Sequence, residues 1–330
     1  MKPTYAIPSV AEMLAQKRNG LTVVSTFSGA GGSCLGYRWA GYDVAWASEF
    51  IPAARDTYRA NFPNAIVDER DIRTVKASDI LNATKLDVGE VDIFEGSPPC
   101  ASFSLAGKRT HHWGEVKKYS DTRQRTDDLF GEWTRLVDDL QPKVCVAENV
   151  PALATGKATG YFKQVLQDIA GFGYTVKAME LNSEWLGVPQ RRKRLFIIGV
   201  RCDLKRAPIF PTPLPYRYSI RDAVPHMVGE IEHANGFHSI QRHRRKSHRP
   251  GHAWYSTNQP AETIQAQAPV RVRETTTRKI TMYELKRICG FPDDFKLTGT
   301  FGQQYERIGR AVCPPVARAI ATTLHHKVLT

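Results

Sequence analysis

The sequence predicts an α/β fold in which a doubly wound, mostly parallel sheet is combined with a second, smaller domain. Short apolar segments alternate with segments of helical period, and a glycine-rich turn follows the first apolar segment after the N-terminus. A proline-rich connector then interrupts this pattern. Such alternation indicates parallel strands whose sheet is covered by helices on both faces.

The N-terminal part of the chain predicts the first half of a βαβ unit. In "SVAEMLAQK" a short helix is expected, since Ser9 and Glu12 have capping-box spacing. The strand-like run "LTVVSTF" leads into "SGAGGSCLGYRWAG", whose glycines predict a tight turn and then a helix that ends at Gly41. The next strand-like run, "YDVAWASEF", ends on the acidic residue Glu49.

The alternation continues through a large domain that we expect to span residues 1–204. Strands are predicted for "VDIFE", "KVCVAE" and the fully apolar "RLFIIGV". Helices are predicted for "YFKQVLQDIAGFGY" and for "DDLFGEWTRLVDDLQP", where apolar residues recur at helical spacing. These helices would cover the sheet.

A smaller, basic domain is expected over residues 205–304. It opens with "APIFPTPLPY", whose prolines are typical of a connector, and includes the basic stretch "FHSIQRHRRKSHRPGHAWY". A helix is predicted in "TMYELKRICGFP", where Thr281 and Glu284 have capping-box spacing. Residues 305–330 are expected to complete the large domain as a C-terminal helix, because prolines in "PPVARAIATTLHHKVL" favour a helix start.

The charge of the chain points to a polyanionic partner. Its 330 residues include 46 Lys and Arg against 33 Asp and Glu, a formal net charge of +13. Nucleic acid is favoured over a membrane as the partner, although a charge spread over the surface for solubility is the simpler alternative. No apolar stretch approaches the roughly 20 residues that span a bilayer, and the N-terminus does not resemble a signal peptide. A cytoplasmic protein is therefore expected.

One of the six cysteines is a candidate nucleophile. No C-x-x-C pair occurs, so no metal site is expected, and five of the cysteines are interpreted as small core residues. Cys100, in "GSPPCASFS", follows a predicted strand and two prolines that would hold its sulfur in place. A buried thiol in a turn is the structural alternative. A nucleophile needs an acid or base and cations nearby, which Glu148 in "ENV" and the segment "QRRKR" at 190–194 supply.

The glycine-rich turn predicts a site for an adenosine-containing cofactor. Glycines after a strand allow close approach of a ligand to the backbone. Glu49 lies where a carboxylate commonly binds a ribose hydroxyl, and Asp71 in "ERDIR" is expected at the end of a third strand, within reach of an adenine amine. The chain has no G-x-x-x-x-G-K-[ST] motif, which would indicate a nucleoside triphosphate. A nicotinamide cofactor and S-adenosylmethionine remain as the two candidates.

Six segments in order resemble the cytosine-C5 DNA methyltransferases of prokaryotic and phage type: "FSGAGG", "GSPPCASFS", "ENV", "QRRKRLFIIG", "RKITMYELKRICGFPDDF" and "GRAVCPPVA". The resemblance extends from about residue 22 to 325, except for residues 205–275, which correspond to the family's variable target-recognition domain. It implies a Rossmann-like methyltransferase fold, S-adenosylmethionine as cofactor with S-adenosylhomocysteine as product, and double-stranded DNA as partner.

The resemblance also implies roles for individual residues. Cys100 would attack C6 of a flipped-out cytosine, and Glu148 would hold the N3 edge and supply a proton. Arg192 and Arg194 match the two arginines of the Q-x-R-x-R pattern, with Arg194 the better candidate for contacting the base. The cofactor pocket would be formed by Phe27, Gly29, Gly31, Gly32, Glu49, Asp71, Ile72, Ser97 and Pro99.

The basic stretch is the expected contact with DNA. Its candidate residues are Arg242, Arg244, Arg245, Lys246 and Arg249. Such clusters mostly bind phosphate and confer no sequence preference. A monomer is expected, with a restriction endonuclease as a possible partner that acts separately. Two alternatives are a tRNA substrate, although the Cys-Phe-Thr signature of that branch is absent, and a DNA-binding relative without catalysis.

Four positions depart from the usual family pattern. Ser25 stands where many members have aspartate, Ala101 follows the cysteine in place of glutamine, Cys289 replaces a glutamine, and Arg310 replaces an asparagine near the cofactor. These departures concern contacts around the cofactor and the loops rather than the reacting groups.

Overall fold

The secondary structure alternates strands and helices through the first two thirds of the chain. The computed structural model describes residues 1–99, 116–155, 158–234, 252–266 and 270–330. The helices in these ranges are α1 (Val10–Leu14), α2 (Gly32–Trp39), α3 (Pro52–Asn61), α4 (Ala77–Thr84), α5 (Leu129–Leu140), α6 (Thr159–Gly171), α7 (Ile220–Ala223), α8 (Met282–Ile288), α9 (Phe301–Arg310) and α10 (Pro314–Leu324). The strands are β1 (Thr22–Thr26), β2 (Asp43–Ser48), β3 (Val67–Asp68), β4 (Ile93–Gly96), β5 (Lys117–Tyr119), β6 (Thr122–Gln124), β7 (Val144–Asn149), β8 (Tyr174–Asn182), β9 (Gln190–Arg191), β10 (Lys193–Arg201), β11 (Glu230–Ala234), β12 (His252–Ser256), β13 (Ala261–Glu262), β14 (Arg271–Arg273) and β15 (Thr277–Lys279).

A seven-stranded sheet forms the centre of the larger part of the molecule. Its strand order is β3-β2-β1-β4-β7-β10-β8, and all neighbouring pairs are parallel except those that involve β10. The order reverses between β1 and β4, where doubly wound sheets bind ligands beyond the carboxyl ends of their strands. The predicted doubly wound, mostly parallel α/β fold is confirmed.

Helices cover both faces of this sheet. Alternate residues of a strand point to opposite faces, and both faces carry buried apolar side chains. On one face the core includes residues of α1, α2, α3 and α10, and on the other it includes residues of α4, α5 and α6. Val23 and Val24, consecutive in β1, belong to the two different cores. The described helices include none long and apolar enough to cross a membrane.

A smaller antiparallel sheet follows in the chain. Its strand order is β12-β11-β14-β15, and every neighbouring pair is antiparallel. A short parallel pairing of β9 with β13 connects this part of the chain to the segment that precedes β10. The strands of this sheet are three to five residues long.

Local signals predicted several elements correctly. Both predicted capping boxes are present, at Ser9 with Glu12 and at Thr281 with Glu284. The prediction of one C-terminal helix over residues 305–330 is wrong, because α9 ends at Arg310 and α10 begins at Pro314. Proline cannot donate the backbone hydrogen bond that would continue a helix across this boundary.

One strand was missed by the sequence analysis, and one further expectation is wrong in part. Strand β8 lies at the sheet edge and was not predicted; its mostly half-buried and exposed residues lack the continuous apolar run of an internal strand. The interpretation of five cysteines as core residues holds for Cys34, Cys145, Cys289 and Cys313 but not for Cys202, which is exposed. Cys202 follows the end of β10 in a single helical turn, where solvent reaches it.

Candidate active site

The glycine-rich segment after β1 lies at the point where the strand order reverses. Phe27 has a φ of 52°, a left-handed conformation that is strained for a bulky residue and is found mainly at functional sites. Gly29 has a φ of 58°, and a Cβ built there would meet nothing within 4 Å. The backbone at Gly29 is therefore open to close approach by a ligand.

Gly31 and Gly32 have a packing role as well. A Cβ on Gly31 would lie 2.5 Å from the ring of Phe62, and one on Gly32 would lie 2.3 Å from the carbonyl oxygen of Val312. Side chains cannot be accommodated at these distances. Packing alone therefore requires these two glycines, while Gly29 is the one whose surroundings fit a bound cofactor.

Glu49 holds the glycine-rich segment in place from the end of β2. The amide of Gly29 donates to Glu49 Oε2 at 2.7 Å, and the amide of Ile51 donates to Oε1 at 2.6 Å. Burial raises the pKa of Glu49, and these two hydrogen bonds act in the opposite direction. The predicted ribose ligand is thus also the group that fixes the turn.

Asp71 and Ile72 lie beyond the third strand rather than at its end. Strand β3 ends at Asp68, and Asp71 caps the single helical turn Ile72–Thr74, in which Ile72 is buried. The carboxylate of Asp71 accepts from Arg73 at 2.9 Å. Asp71 is therefore already paired with a cation, a contact that the sequence did not indicate.

Phe50 is a candidate cofactor contact that sequence reasoning missed. It directly follows Glu49, and its side chain is 39% exposed. An exposed aromatic ring at the carboxyl edge of the sheet offers a flat apolar surface for a base. The signal was its position beside the acidic residue that ends β2.

The turn that precedes Cys100 is anchored to the neighbouring strand. Ser97 and Pro99 are half-buried, and the carbonyl oxygen of Pro98 accepts from Asn149 Nδ2 at 3.2 Å. Asn149 is the last residue of β7, so this bond joins the ends of β4 and β7. Cys100 itself lies outside the described residues.

Glu148 and Arg194 form an ion pair at the same edge of the sheet. Arg194 Nε lies 3.1 Å from Glu148 Oε1, and the two side chains are only 18% and 12% exposed. Strand β10 runs antiparallel to β7, with Phe196 opposite Glu148. The beginning of β10 therefore reaches the edge where the parallel strands end, which brings together two of the predicted catalytic residues.

The charge of Arg194 is held in a buried site. Burial is the main cause that lowers the pKa of Arg194 to about 10; the charge of Arg192 acts in the same direction and Glu148 opposes it. Arg194 stays cationic at neutral pH. Arg192 is buried too, but its guanidinium donates to the backbone carbonyl of Ile264 at 3.3 Å. Arg194, rather than Arg192, thus contacts the predicted acid directly.

A second buried carboxyl group lies near Glu148 and was not predicted. Glu95 is on β4, is 4% exposed, and accepts hydrogen bonds from the hydroxyl groups of Ser25 and Ser33. The acidic end of "VDIFE" was the available signal in the sequence. The predicted DNA-contacting residues Arg242, Arg244, Arg245, Lys246 and Arg249 lie outside the described residues.

The chain is similar to known proteins over nearly its whole length. The family model of C-5 cytosine-specific DNA methylases matches residues 21–249 and 215–326. The chain belongs to this family. Type II methyltransferase M1.HphI from Haemophilus parahaemolyticus is 32% identical over 91% of this chain and 86% of that protein. Type II methyltransferase M.NgoPII from Neisseria gonorrhoeae is 30% identical over 93% of this chain and 96% of that protein.

Solved structures of this fold superpose on the chain. A protein described as a DNA modification methyltransferase encoded within an E. coli prophage has a TM-score of 0.71 at 23% identity, covering 93% of this chain and 99% of that one. A mutant of Spodoptera frugiperda DNMT2 has a TM-score of 0.66 at 15% identity, covering 94% and 100%. At these identities the likeness concerns the fold. Family membership itself confirms the predicted class, a DNA cytosine-5 methyltransferase, whose members use S-adenosylmethionine as methyl donor.

Three of the four departures from the methylase family pattern have local explanations. Ser25 pairs with Glu95 across β1 and β4, and Cys289 is buried and accepts from Gln190 Nε2 at 3.2 Å. The guanidinium of Arg310 lies 4.3 Å from the ring centre of Tyr119. Arg310 thus contacts the hairpin of β5 and β6. Ala101 lies outside the described residues.

Proposed function

We propose that this DNA methylase acts on a short duplex sequence, methylating a flipped-out cytosine through a covalent bond between Cys100 and C6. The observation that carries the proposal is the buried Glu148–Arg194 pair, at the strand edge where the Ser97–Pro99 turn leads towards Cys100. A carboxyl group and a cation at that edge are suited to form hydrogen bonds with the Watson–Crick edge of a base. The target base must leave the stack to reach them.

The reaction assigns a task to each of these groups. C5 of cytosine is a weak nucleophile, and addition of the Cys100 thiolate to C6 turns the ring into an enamine that is nucleophilic at C5. Glu148 supplies a proton to N3 as negative charge develops there. Arg194 orients the Glu148 carboxyl group and contacts the base. Once C5 carries the transferred methyl group, loss of the C5 proton and departure of the sulfur restore the aromatic ring.

The glycine-rich segment is the proposed site of S-adenosylmethionine, which when bound supplies an electrophilic methyl group. The open backbone at Gly29, the strained Phe27 and the anchored Glu49 fit a cofactor at this place. Asp71, Ile72, Ser97 and Pro99 complete the proposed pocket, and Phe50 joins them as a surface for the adenine ring.

Replacing Glu49 with glutamine is expected to weaken S-adenosylmethionine binding about tenfold or more. A glutamine amide cannot accept from both Gly29 and Ile51, and a hydrogen bond to a charged group contributes about 1.5–3 kcal/mol. Isothermal titration calorimetry measures the dissociation constant. Glu180→Gln is the matched control, because Glu180 is 42% exposed and pairs with Lys193, which is 61% exposed. Equal affinities of the two variants would remove Glu49 from the pocket.

We propose that residues 205–304 contain the unit that recognises the target sequence, with 1–204 and 305–330 forming the catalytic part. The small antiparallel sheet lies within the first range, whereas α9 crosses its boundary. The basic residues 242–249 would contact phosphate. The protein would act as a monomer in the cytoplasm, alongside a separate restriction endonuclease.

Neutralising Arg244 and Arg245 with glutamine is expected to lower affinity about evenly across DNA sequences. Each lost phosphate contact reduces the slope of log affinity against log salt by about 0.9. Fluorescence anisotropy over a salt series on cognate and scrambled duplexes measures both quantities. Lys17→Gln with Arg18→Gln is the control, since these residues precede β1, at the edge of the sheet opposite the candidate active site. A changed preferred sequence would show base reading instead.

The function is tested by expressing the protein in a methylation-deficient host and sequencing plasmid DNA after bisulfite treatment. Protected cytosines in one short context are expected. If a folded protein that binds S-adenosylmethionine protects none, tRNA from the same cells is sequenced in the same way. Methylated tRNA would then transfer the proposal to an RNA substrate, and absence of both products would indicate a silent DNA-binding protein.

A further inference from the structure

Glu95 and Glu148 lie on the same face of the central sheet. Strands β4 and β7 are parallel, with Glu95 opposite Val146, and Glu148 is two residues further along β7. Both carboxyl groups therefore point towards the layer formed by α2 and α10. Glu148 carries a proposed catalytic role, whereas the mechanism derived above leaves Glu95 without one.

Glu95 is buried without a cation in the described part of the chain. Its Oε1 accepts from Ser25 and, at 2.8 Å, from Ser33, while the ion pairs formed by described residues leave it out. Burial raises the pKa of Glu95 to about 7, and the negative charge of Glu148 contributes in the same direction. A buried carboxyl group in such surroundings keeps its proton far above the usual range.

Glu95 and Glu148 line the same small cavity. Its volume is about 10 Å³, close to the space of one water molecule, and its lining includes Glu95, Glu148, Ser33 and Tyr37. Apolar residues such as Val146 and Phe196 close its remaining sides. The cavity has room for at most one water, and a single water there would lie beside both carboxyl groups.

We propose that Glu95 is a positioning residue that holds a proton beside Glu148 and passes it through Glu148 to cytosine N3. The inference rests on the proposed function. The proton resides on Glu95, a buried carboxyl group without a cation among the described residues, whereas Glu148 lies beside Arg194. That proton moves from Glu95 through Glu148 to N3 as the sulfur adds to C6, and it returns by the same route when the sulfur leaves.

Other titratable groups face the pair from the surrounding elements. Arg194 Nε lies 3.1 Å from Glu148, so Glu148 has a cation beside it, whereas Glu95 has none among the described residues. The groups near Glu95 are Cys34, Tyr37 and Tyr58, and those near Glu148 are Arg192, Arg194 and Cys313. Burial raises the pKa of each of these thiols and phenols, so they remain neutral as Glu95 titrates.

The first test compares the pH profiles of single-turnover methylation. In the wild type the rate constant is expected to fall as pH rises above about 7. In Glu95→Gln, which retains the shape of the side chain, the fall should begin about one pH unit lower, with roughly tenfold slower methylation at pH 7.5. A purely structural role of Glu95 would leave the pH at which the rate constant falls unchanged, and that result would overturn the proposal.

A second variant should shift the pH at which the rate constant falls in the opposite direction. Ser33 donates to the Glu95 carboxylate and favours its ionised form. Ser33→Ala removes this donor, so Glu95 should keep its proton to higher pH. The fall in the rate constant should then begin at a higher pH. Shifts of both variants in the same direction would point to general damage to the site and would contradict the proposal.

The pH dependence of stability provides a readout that does not need activity. The folded wild type keeps the Glu95 proton to about pH 7, whereas an unfolded glutamate releases it near 4.5. The free energy of unfolding should therefore fall between about pH 5 and 7.5, relative to Glu95→Gln. Parallel curves for the two proteins would overturn the proposal. If the wild type did not methylate DNA at any pH, the proposed function would be overturned instead. The unfolding curves would still report on the protonation of Glu95.

Discussion

Cys100→Ala is expected to lower the rate of DNA methylation by roughly 10⁴–10⁶-fold, since the loss of a nucleophile removes the covalent route. S-adenosylmethionine binding should stay within about twofold, because alanine leaves the glycine-rich segment intact. Single-turnover transfer of a labelled methyl group measures the rate, and bisulfite sequencing of plasmid DNA gives the same result in cells.

Cys202→Ala is the matched control for this experiment. Cys202 is exposed and follows the end of β10, at the edge of the sheet opposite the candidate active site. The control should methylate as fast as the wild type. If Cys100→Ala retained more than a few per cent of the wild-type rate, Cys100 would not be the nucleophile and the covalent mechanism would be wrong.

Glu148→Gln is expected to slow methylation by about 10²–10⁴-fold, the usual contribution of a general acid. A glutamine retains the size of the side chain and can still accept from Arg194, but it cannot supply a proton to N3. The single-turnover rate constant, measured with saturating DNA and cofactor, reports the chemical step rather than binding.

Glu180→Gln is the control for the loss of an ion pair. Glu180 lies on β8 and pairs with Lys193, the first residue of β10, at 2.9 Å, with 42% of its side chain exposed. Glu148→Gln should cost about 1–3 kcal/mol of unfolding free energy because buried Arg194 loses its counter-charge, whereas Glu180→Gln should cost under about 1 kcal/mol. Chemical denaturation separates this effect from catalysis. Full activity in folded Glu148→Gln would contradict the role of Glu148.

Much of the fold was predictable because its signals are local. A capping box needs only two residues three positions apart, and the amphipathic pattern of α5 lies within one window of sequence. Strand β8 escaped prediction because an edge strand carries no continuous apolar run. The antiparallel direction of β10 was not predictable either, since the residue pattern of a fully apolar strand is the same whether it pairs in parallel or antiparallel.

By itself, the sequence determined which chemical groups stand at the ends of the strands: the glycine-rich turn after β1, the proline turn before Cys100, and Glu148 at the end of β7. Only the tertiary structure decided which of them meet. Antiparallel β10 brings Arg194 to Glu148, and strand pairing aligns Ser25 and Glu95. The physical reason is that burial and pairing depend on elements far apart in the chain, so a carboxyl group's surroundings and its proton are set by the packed sheet.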